Sequence, residues 1–121
     1  MFVLDTNIII YYAGGDKKVV AFMEEKKGAI FYLPSIVVVE FLSYPLINEE
    51  TIAKFRSFVY QTIVINLDLR IAELAAELRR KYKIKLADAV IAASAISTNS
   101  FLVTRNVYDF KKIKELNLFK I

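Results

Sequence analysis

Residues 1–10, MFVLDTNIII, place an acidic residue, Asp5, between a short apolar run and a series of isoleucines. The segment FVL, 2–4, predicts a short buried strand, and residues 6–13 predict a helix that two glycines terminate. Asp5 therefore lies where the strand passes into the helix. An ionised carboxylate is costly to bury unless a partner compensates its charge. We expect Asp5 either to cap the helix or to belong to a site that holds a cation.

Short apolar strands alternate with helical segments along the rest of the chain. Strands are predicted at 2–4, 29–33, 63–66 and 101–104, with LFKI, 118–121, as an edge strand. Helices are predicted at 6–13, 16–27, 36–44, about 48–61, from 68 onward, 86–96 and 109–115. This alternation predicts an α/β domain with a mainly parallel sheet of four to five strands. No linker or repeat interrupts residues 1–121, so we expect a single domain.

The segment IVVVEFLSY, 36–44, allows two interpretations. Its β-branched residues favour a strand on propensity alone. The preceding Pro34-Ser35 pair and the break at Pro45 favour a helix. We expect a helix.

The composition excludes several kinds of chemistry. The chain has no cysteine and no histidine, which rules out disulfides, thiolate or imidazole metal ligands and Ser–His or Cys–His nucleophiles. The net charge of +4 agrees with a polyanionic partner, although a small domain also needs some net charge to stay dissolved. We expect no membrane span and no signal peptide, because no long uncharged run exists and no basic segment precedes the first apolar residues. These features predict a cytoplasmic protein.

Three of the thirteen acidic residues have apolar neighbours. Asp5 follows FVL, Glu40 lies inside VVVEFL, and Asp88 lies inside LADAVIAA. Each alone has a structural explanation, as a helix cap, an exposed helix position or a first-turn acid that the helix dipole favours. The carboxyl ends of parallel strands meet at one edge of a sheet, so the three can also form one cluster. Clustered carboxylates need a counter-charge, and Mg²⁺ or Mn²⁺ prefers oxygen ligands.

Four segments in order, FVLDTN, PSIVVVEF, LADAVIAA and LVTRNVYDF, resemble the PIN domain, and most closely the small VapC-type toxins of toxin–antitoxin pairs. The resemblance extends from residue 2 to about residue 110. It implies a Rossmann-like, three-layer fold with helices on both sides of the sheet, and a Mg²⁺- or Mn²⁺-dependent endoribonuclease activity. It also implies a homodimer and a cognate antitoxin.

The resemblance assigns the site residue by residue. Asp5, Glu40 and Asp88 match the first three acids of the family and are the expected metal ligands. The polar residues expected to support them are Thr6, Asn7 and Thr104. Many members carry an acid where this chain has Asn106, while Asp109 occupies the acidic position of N-x-x-D-F. Either of these two residues is expected to supply the fourth oxygen.

Basic residues near the expected site are candidates for contact with RNA phosphates. Lys83 and Lys85 precede Asp88 closely, although a helix end also favours such charges. Arg105 lies beside the expected site and is the best single candidate.

Two other functions agree with the same residues. One is a degenerate PIN domain that binds RNA or protein without cutting. The other is a phosphoryl-transfer enzyme with Asp5 as nucleophile, although such sites often carry a second aspartate where this chain has Asn7.

Overall fold

The computed structural model describes residues 1–121 as five strands and seven helices. The strands are β1 (Phe2–Leu4), β2 (Phe31–Pro34), β3 (Ile63–Ile65), β4 (Phe101–Thr104) and β5 (Asn117–Lys120). The helices are α1 (Thr6–Ala13), α2 (Lys17–Glu25), α3 (Ser35–Leu42), α4 (Glu49–Tyr60), α5 (Leu69–Tyr82), α6 (Leu86–Ser97) and α7 (Val107–Phe110). This succession confirms the predicted α/β class.

The five strands form one sheet in the order β3-β2-β1-β4-β5. Every neighbouring pair is parallel, so the sheet is wholly and not mainly parallel, and β5 is the predicted edge strand. From β1 the chain builds the sheet first on one side and then, with β4, on the other. The carboxyl ends of β1 and β4 therefore border the crevice where parallel α/β sheets bind ligands.

The segment at 36–44 is helical as far as Leu42, as expected, and forms most of α3. Val37 and Phe41, four residues apart, are both buried, which is the spacing of one helix face. Burial of this face outweighs the strand propensity of the β-branched residues.

Two predicted segments differ most from the structure. The second strand begins at Phe31 and includes Pro34, whereas 29–33 was expected. The helix expected at 109–115 is instead the short α7, and the chain then continues in turns. Amides of Ile113 and Leu116 donate to carbonyls three residues earlier, and both side chains are buried. These two residues are thereby packed into the core without a regular helix.

Polar side chains begin several helices. Asp16, Asn48 and Asp68 accept hydrogen bonds from backbone amides at the starts of α2, α4 and α5. The most buried helix is α6, which packs against β1, β2 and β4. None of the helices combines the length and the apolar character needed to cross a bilayer.

Candidate functional site

Asp5 lies immediately after β1 and caps α1. Its backbone is extended, and its Oδ1 atom accepts a hydrogen bond from the amide of Ile8 at 2.9 Å. The residue is only 3% exposed. The cap explains part of the predicted role of Asp5. It leaves open why a carboxylate is buried here when a serine or asparagine would cap as well.

The other oxygen of Asp5 is bound by β4. The hydroxyl of Thr104, the last residue of the strand, donates to Asp5 Oδ2 at 2.5 Å. The same hydroxyl oxygen accepts from the amide of Asn106 at 2.9 Å. Thr104 is fully buried, so its hydroxyl rigidly connects Asp5 to the loop after β4.

Asn106 and Asp109, the two candidates for the fourth oxygen, are bonded to each other. Asn106 Nδ2 donates to Asp109 Oδ2 at 2.7 Å. Because the amide nitrogen is held in this way, the carbonyl oxygen of Asn106 is the atom of that amide left to face a cation.

Glu40 and Asp88 reach the same place from two helices. Glu40 on α3 accepts a hydrogen bond from the Thr6 hydroxyl at 2.5 Å. Asp88 lies in the first turn of α6 and is half-buried. Helix α3 packs on both α1 and α6, which brings the two acids towards Asp5.

These side chains surround a cavity of about 250 Å³. Its walls are formed by Asp5, Thr6, Asn7, Ile10, Glu40, Asp88, Ile91, Asn106 and Phe110. The sequence predicted six of these nine residues. The apolar residues Ile10, Ile91 and Phe110 carry no local signal for such a position. Asp109 does not line the cavity, but it accepts a hydrogen bond from Asn106 and its charge acts on Asp88.

Burial and repulsion between neighbouring carboxylates raise the pKa values of two of the acids. Burial raises the pKa of Asp5, and the charges of Asp88 and Glu40 raise it further, against the opposing hydrogen bonds from Thr104 and Ile8. Burial also raises the pKa of Asp88, with Asp109 and Glu40 adding to the effect and Lys85 opposing it. The cavity thus concentrates negative charge that its own walls do not neutralise.

The donor set of the cavity suits a hard divalent cation. The lining includes three carboxylates and no basic residue, and none of the three forms a salt bridge. Each oxygen of Asp5 accepts one hydrogen bond, which leaves a lone pair on each for a metal. No three acidic side chains are already arranged around a common point as metal ligands. The residues fit Mg²⁺ or Mn²⁺ chemically, and binding requires the carboxylates to draw together.

The predicted RNA contacts fall into two groups. Lys83 and Lys85 are exposed in the connection between α5 and α6, and the charge of Lys85 acts on Asp88. Arg105 lines a different cleft, together with Asp16. Its guanidinium donates to both carboxylate oxygens of Asp16, at 2.9 and 2.7 Å. The sequence predicted Asp16 only as a helix cap, since nothing near it in the chain signals a partner 89 residues away.

Comparison with known families identifies the chain. A family model described as the PIN domain matches residues 2–116. No curated protein sequence matches at a significant level.

Several solved structures contain a similar chain. One is VapBC2 from Rickettsia felis bound to a DNA fragment from its promoter, with a TM-score of 0.87, 26% identity and coverage of 99% of this chain and 98% of that chain. A toxin–antitoxin complex from Klebsiella pneumoniae gives a TM-score of 0.85 and 28% identity, with full coverage, 100%, of both chains. VapBC-1 from nontypeable Haemophilus influenzae gives a TM-score of 0.83 and 25% identity, with coverage of 98% of this chain and 96% of that chain. The fold is shared over nearly the whole length, and with the family match at residues 2–116 it follows that this protein belongs to the PIN domain family.

Proposed function

We propose that the protein is a Mg²⁺- or Mn²⁺-dependent endoribonuclease and the toxin of a VapBC-type toxin–antitoxin pair. The observation that carries the proposal is the cavity between β1 and β4, where three carboxylates converge without a basic residue in the walls. Membership of the PIN domain family and similarity to chains of VapBC complexes support the same function.

Each polar residue has a proposed role. Asp5, Glu40, Asp88 and Asn106 would hold the metal. Thr104 orients Asp5, and the backbone amide of Ile8 fixes its second oxygen.

The remaining polar residues act on those ligands. Thr6 holds Glu40, and Asp109 binds the side-chain nitrogen of Asn106, which leaves the carbonyl oxygen of that amide for the metal. Asn7 lines the cavity and completes its polar rim.

The reaction is hydrolysis of an RNA phosphodiester by water. When bound, Mg²⁺ or Mn²⁺ supplies Lewis-acid activation of water and compensates the charge that develops on the phosphate. The walls supply the negative charge that retains the cation, and the burial of Asp5 and Thr104 keeps that part of the site rigid. No histidine is needed for this route, in agreement with the composition.

Exposed lysines are proposed to guide the RNA. The acidic cavity itself repels a phosphate backbone, so attraction must come from its surroundings. Lys83 and Lys85 lie in the connection that leads into α6 and Asp88, which places positive charge next to the site.

Apolar surface supports the proposed protein partners, a cognate antitoxin and a second copy of the chain. Large apolar side chains are exposed on α1 and in and after α3, among them Ile10, Val39 and Leu46. An apolar cavity of about 310 Å³, lined by residues such as Ile9, Phe41 and Phe55, opens between α1, α3 and α4. Exposed apolar surface next to a groove of this kind is typical of sites of protein association.

The decisive experiment compares two aspartates that both cap helices. Asp5→Asn should reduce Mg²⁺- or Mn²⁺-dependent cleavage of RNA by at least about a hundredfold, because it removes a charged ligand while asparagine preserves the cap. Asp68→Asn makes the same chemical change at the start of α5, outside the cavity, and should leave cleavage intact. Cleavage is measured on labelled RNA with and without a chelator.

The two alternatives predict different results. A degenerate domain that only binds would show no metal-dependent cleavage in the wild-type protein. A phosphoryl-transfer enzyme would accumulate phosphate on Asp5. The sequence disfavours the latter, because such sites often carry a second aspartate where this chain has Asn7. Unaltered cleavage by Asp5→Asn would overturn the proposed site.

A further inference from the structure

We infer that Asp16, Arg105 and Tyr11 form a clamp that positions Asp5 and Thr104, and that Arg105 serves this clamp and not the RNA phosphates. The inference rests on the proposed function for its catalytic consequence. The clamp itself rests on contacts between α1, the start of α2 and the loop after β4.

The centre of the clamp is a two-point ion pair. Arg105 donates from one terminal nitrogen to Asp16 Oδ2 at 2.9 Å and from the other to Oδ1 at 2.7 Å. About a quarter of each side chain is exposed, 25% for Arg105 and 28% for Asp16. Such paired bonds constrain the relative orientation of the two planar groups as well as their distance.

Asp16 is itself immobilised by the helix that it begins. Its Oδ1 atom accepts from the amides of Lys18 and Val19, at 3.1 and 3.2 Å. The carboxylate thus joins the first turn of α2 to Arg105.

Tyr11 completes the clamp from α1. The guanidinium carbon of Arg105 lies 4.5 Å from the centre of the Tyr11 ring, a distance typical of a cation stacked on an aromatic face. The backbone carbonyl of Tyr11 also accepts from the amide of Asp16 at 2.9 Å. Three elements therefore meet at one guanidinium.

The clamp lies one residue from the site. Arg105 directly follows Thr104, the residue that donates to Asp5. Helix α1 is consequently attached to β4 and its loop at both ends, by Asp5 at its start and by Tyr11 near its end. Thr6, bonded to Glu40, lies on the same helix. A shift of α1 relative to β4 would therefore disturb two proposed metal ligands together.

The same contacts argue against a phosphate role for Arg105. Both of its terminal nitrogens are used by Asp16, whose charge neutralises its own. Arg105 is also absent from the walls of the acidic cavity. Direct attraction of RNA phosphates is therefore assigned to Lys83 and Lys85, which form no salt bridge.

Two variants test the clamp. Asp16→Asn keeps a residue that caps helices well but removes the charge of the pair. Arg105→Lys keeps the positive charge but removes the planar fork and its stacking on Tyr11. Each should lower kcat for RNA cleavage and weaken Mn²⁺ binding by about 10- to 100-fold, with little change in KM, as expected when a residue orienting metal ligands is altered. The double variant should be no worse than either single variant, because both break one unit.

A control separates this clamp from ion pairs in general. Glu115→Gln breaks the Lys81–Glu115 pair elsewhere on the surface and should leave kcat and Mn²⁺ binding unchanged. If Arg105 contacts phosphate instead, Arg105→Lys should retain most activity and Arg105→Ala should raise KM. That result would overturn the clamp.

A measurement without metal or RNA keeps the clamp testable if the proposed function fails. The amides of Ile8 and Asn106 donate to Asp5 and Thr104, so their hydrogen exchange reports the positions of these two residues. We expect about tenfold faster exchange at both amides in Asp16→Asn and Arg105→Lys, with strand amides of Val3 and Leu102 unaffected. Unchanged exchange at Ile8 and Asn106 in both variants would refute the clamp, whatever the enzyme assays show.

Discussion

Asp5 and Asp16 each begin a helix and accept hydrogen bonds from backbone amides, yet their surroundings shift their pKa values in opposite directions. Burial and nearby acids raise the pKa of Asp5. Hydrogen bonds from Arg105, followed by those from the helix amides, lower the pKa of Asp16. Both carboxylates accept from the amide three residues later, and that of Asp16 also accepts from the amide of Lys18. What differs is the burial, which is nearly complete at Asp5, and the side chain that β4 and its following loop bring to each carboxylate, a neutral hydroxyl in one case and a guanidinium in the other.

Because of this difference, Asp5 is a potential metal ligand and Asp16 is part of a structural ion pair. Asp16 has a permanent counter-charge and needs no other. Asp5 has none, and the cavity beside it adds Glu40 and Asp88. A cation is therefore stabilised at Asp5 and has no comparable place at Asp16. Variants that alter either Asp5 or Asp16 therefore test this contrast.

Thr104→Val should have the largest effect on stability. Valine has nearly the shape of threonine but leaves buried Asp5 Oδ2 without its donor and the Asn106 amide without its acceptor. We expect a loss of about 1–3 kcal/mol in the free energy of unfolding, measured by urea denaturation. Thr104→Ser retains the hydroxyl and should lose only about 0.8 kcal/mol for the buried methyl group. Equal losses for the two variants would mean that the hydroxyl contributes nothing.

Asp5→Asn should remove a pH-dependent destabilisation that the wild type shows in the absence of metal. The pKa of Asp5 is raised in the folded protein, so its ionised form opposes folding above the ordinary value of 3.8. The stabilising contribution of the protonated acid is present below that value and is lost as the pH rises through the folded pKa. Relative to Asp5→Asn, the Tm of the wild type should fall as the pH rises from about 4 to 7 with a chelator present, because only the wild type carries this carboxylate.

Adding Mn²⁺ should oppose this loss of stability in the wild type. Wild-type protein gains stability by binding the ion, whereas Asp5→Asn loses a charged ligand and gains less. A wild-type Tm that keeps level with that of Asp5→Asn across this pH range in chelator, or no response of either protein to Mn²⁺, would contradict the contrast with Asp16.

Much of the fold follows from local sequence. The strand–helix alternation, the caps at Asp16 and Asp68 and the helical α3 were all predicted, because each depends on residues close together in the chain. The prediction for 109–115 failed because burial of Ile113 and Leu116, and not a helical pattern, determines that segment.

The sequence identified the polar residues that line the cavity better than it identified the contacts between them. Apolar flanks marked Asp5, Glu40 and Asp88, and all three line one cavity. No local signal showed that Asp109 acts through Asn106, or that Arg105 would meet Asp16. Such pairings depend on how the loop after β4 packs against α1 and α2, and that packing is a property of the whole fold.

Asp16→Asn should change the pH dependence of stability in the opposite sense to Asp5→Asn and by a smaller amount, since the ion pair is partly exposed to solvent. The pKa of Asp16 is lowered in the folded protein, so its contribution is present above the ordinary value of 3.8 and is lost as the pH falls through the folded pKa. Asp16→Asn should therefore have a lower Tm than wild type at pH 7, and acidification should close the gap. Asp68→Asn, at a cap without an ion pair, controls for the substitution itself. A gap that persists in acid would assign the loss to helix capping and would remove the electrostatic difference between Asp16 and Asp5.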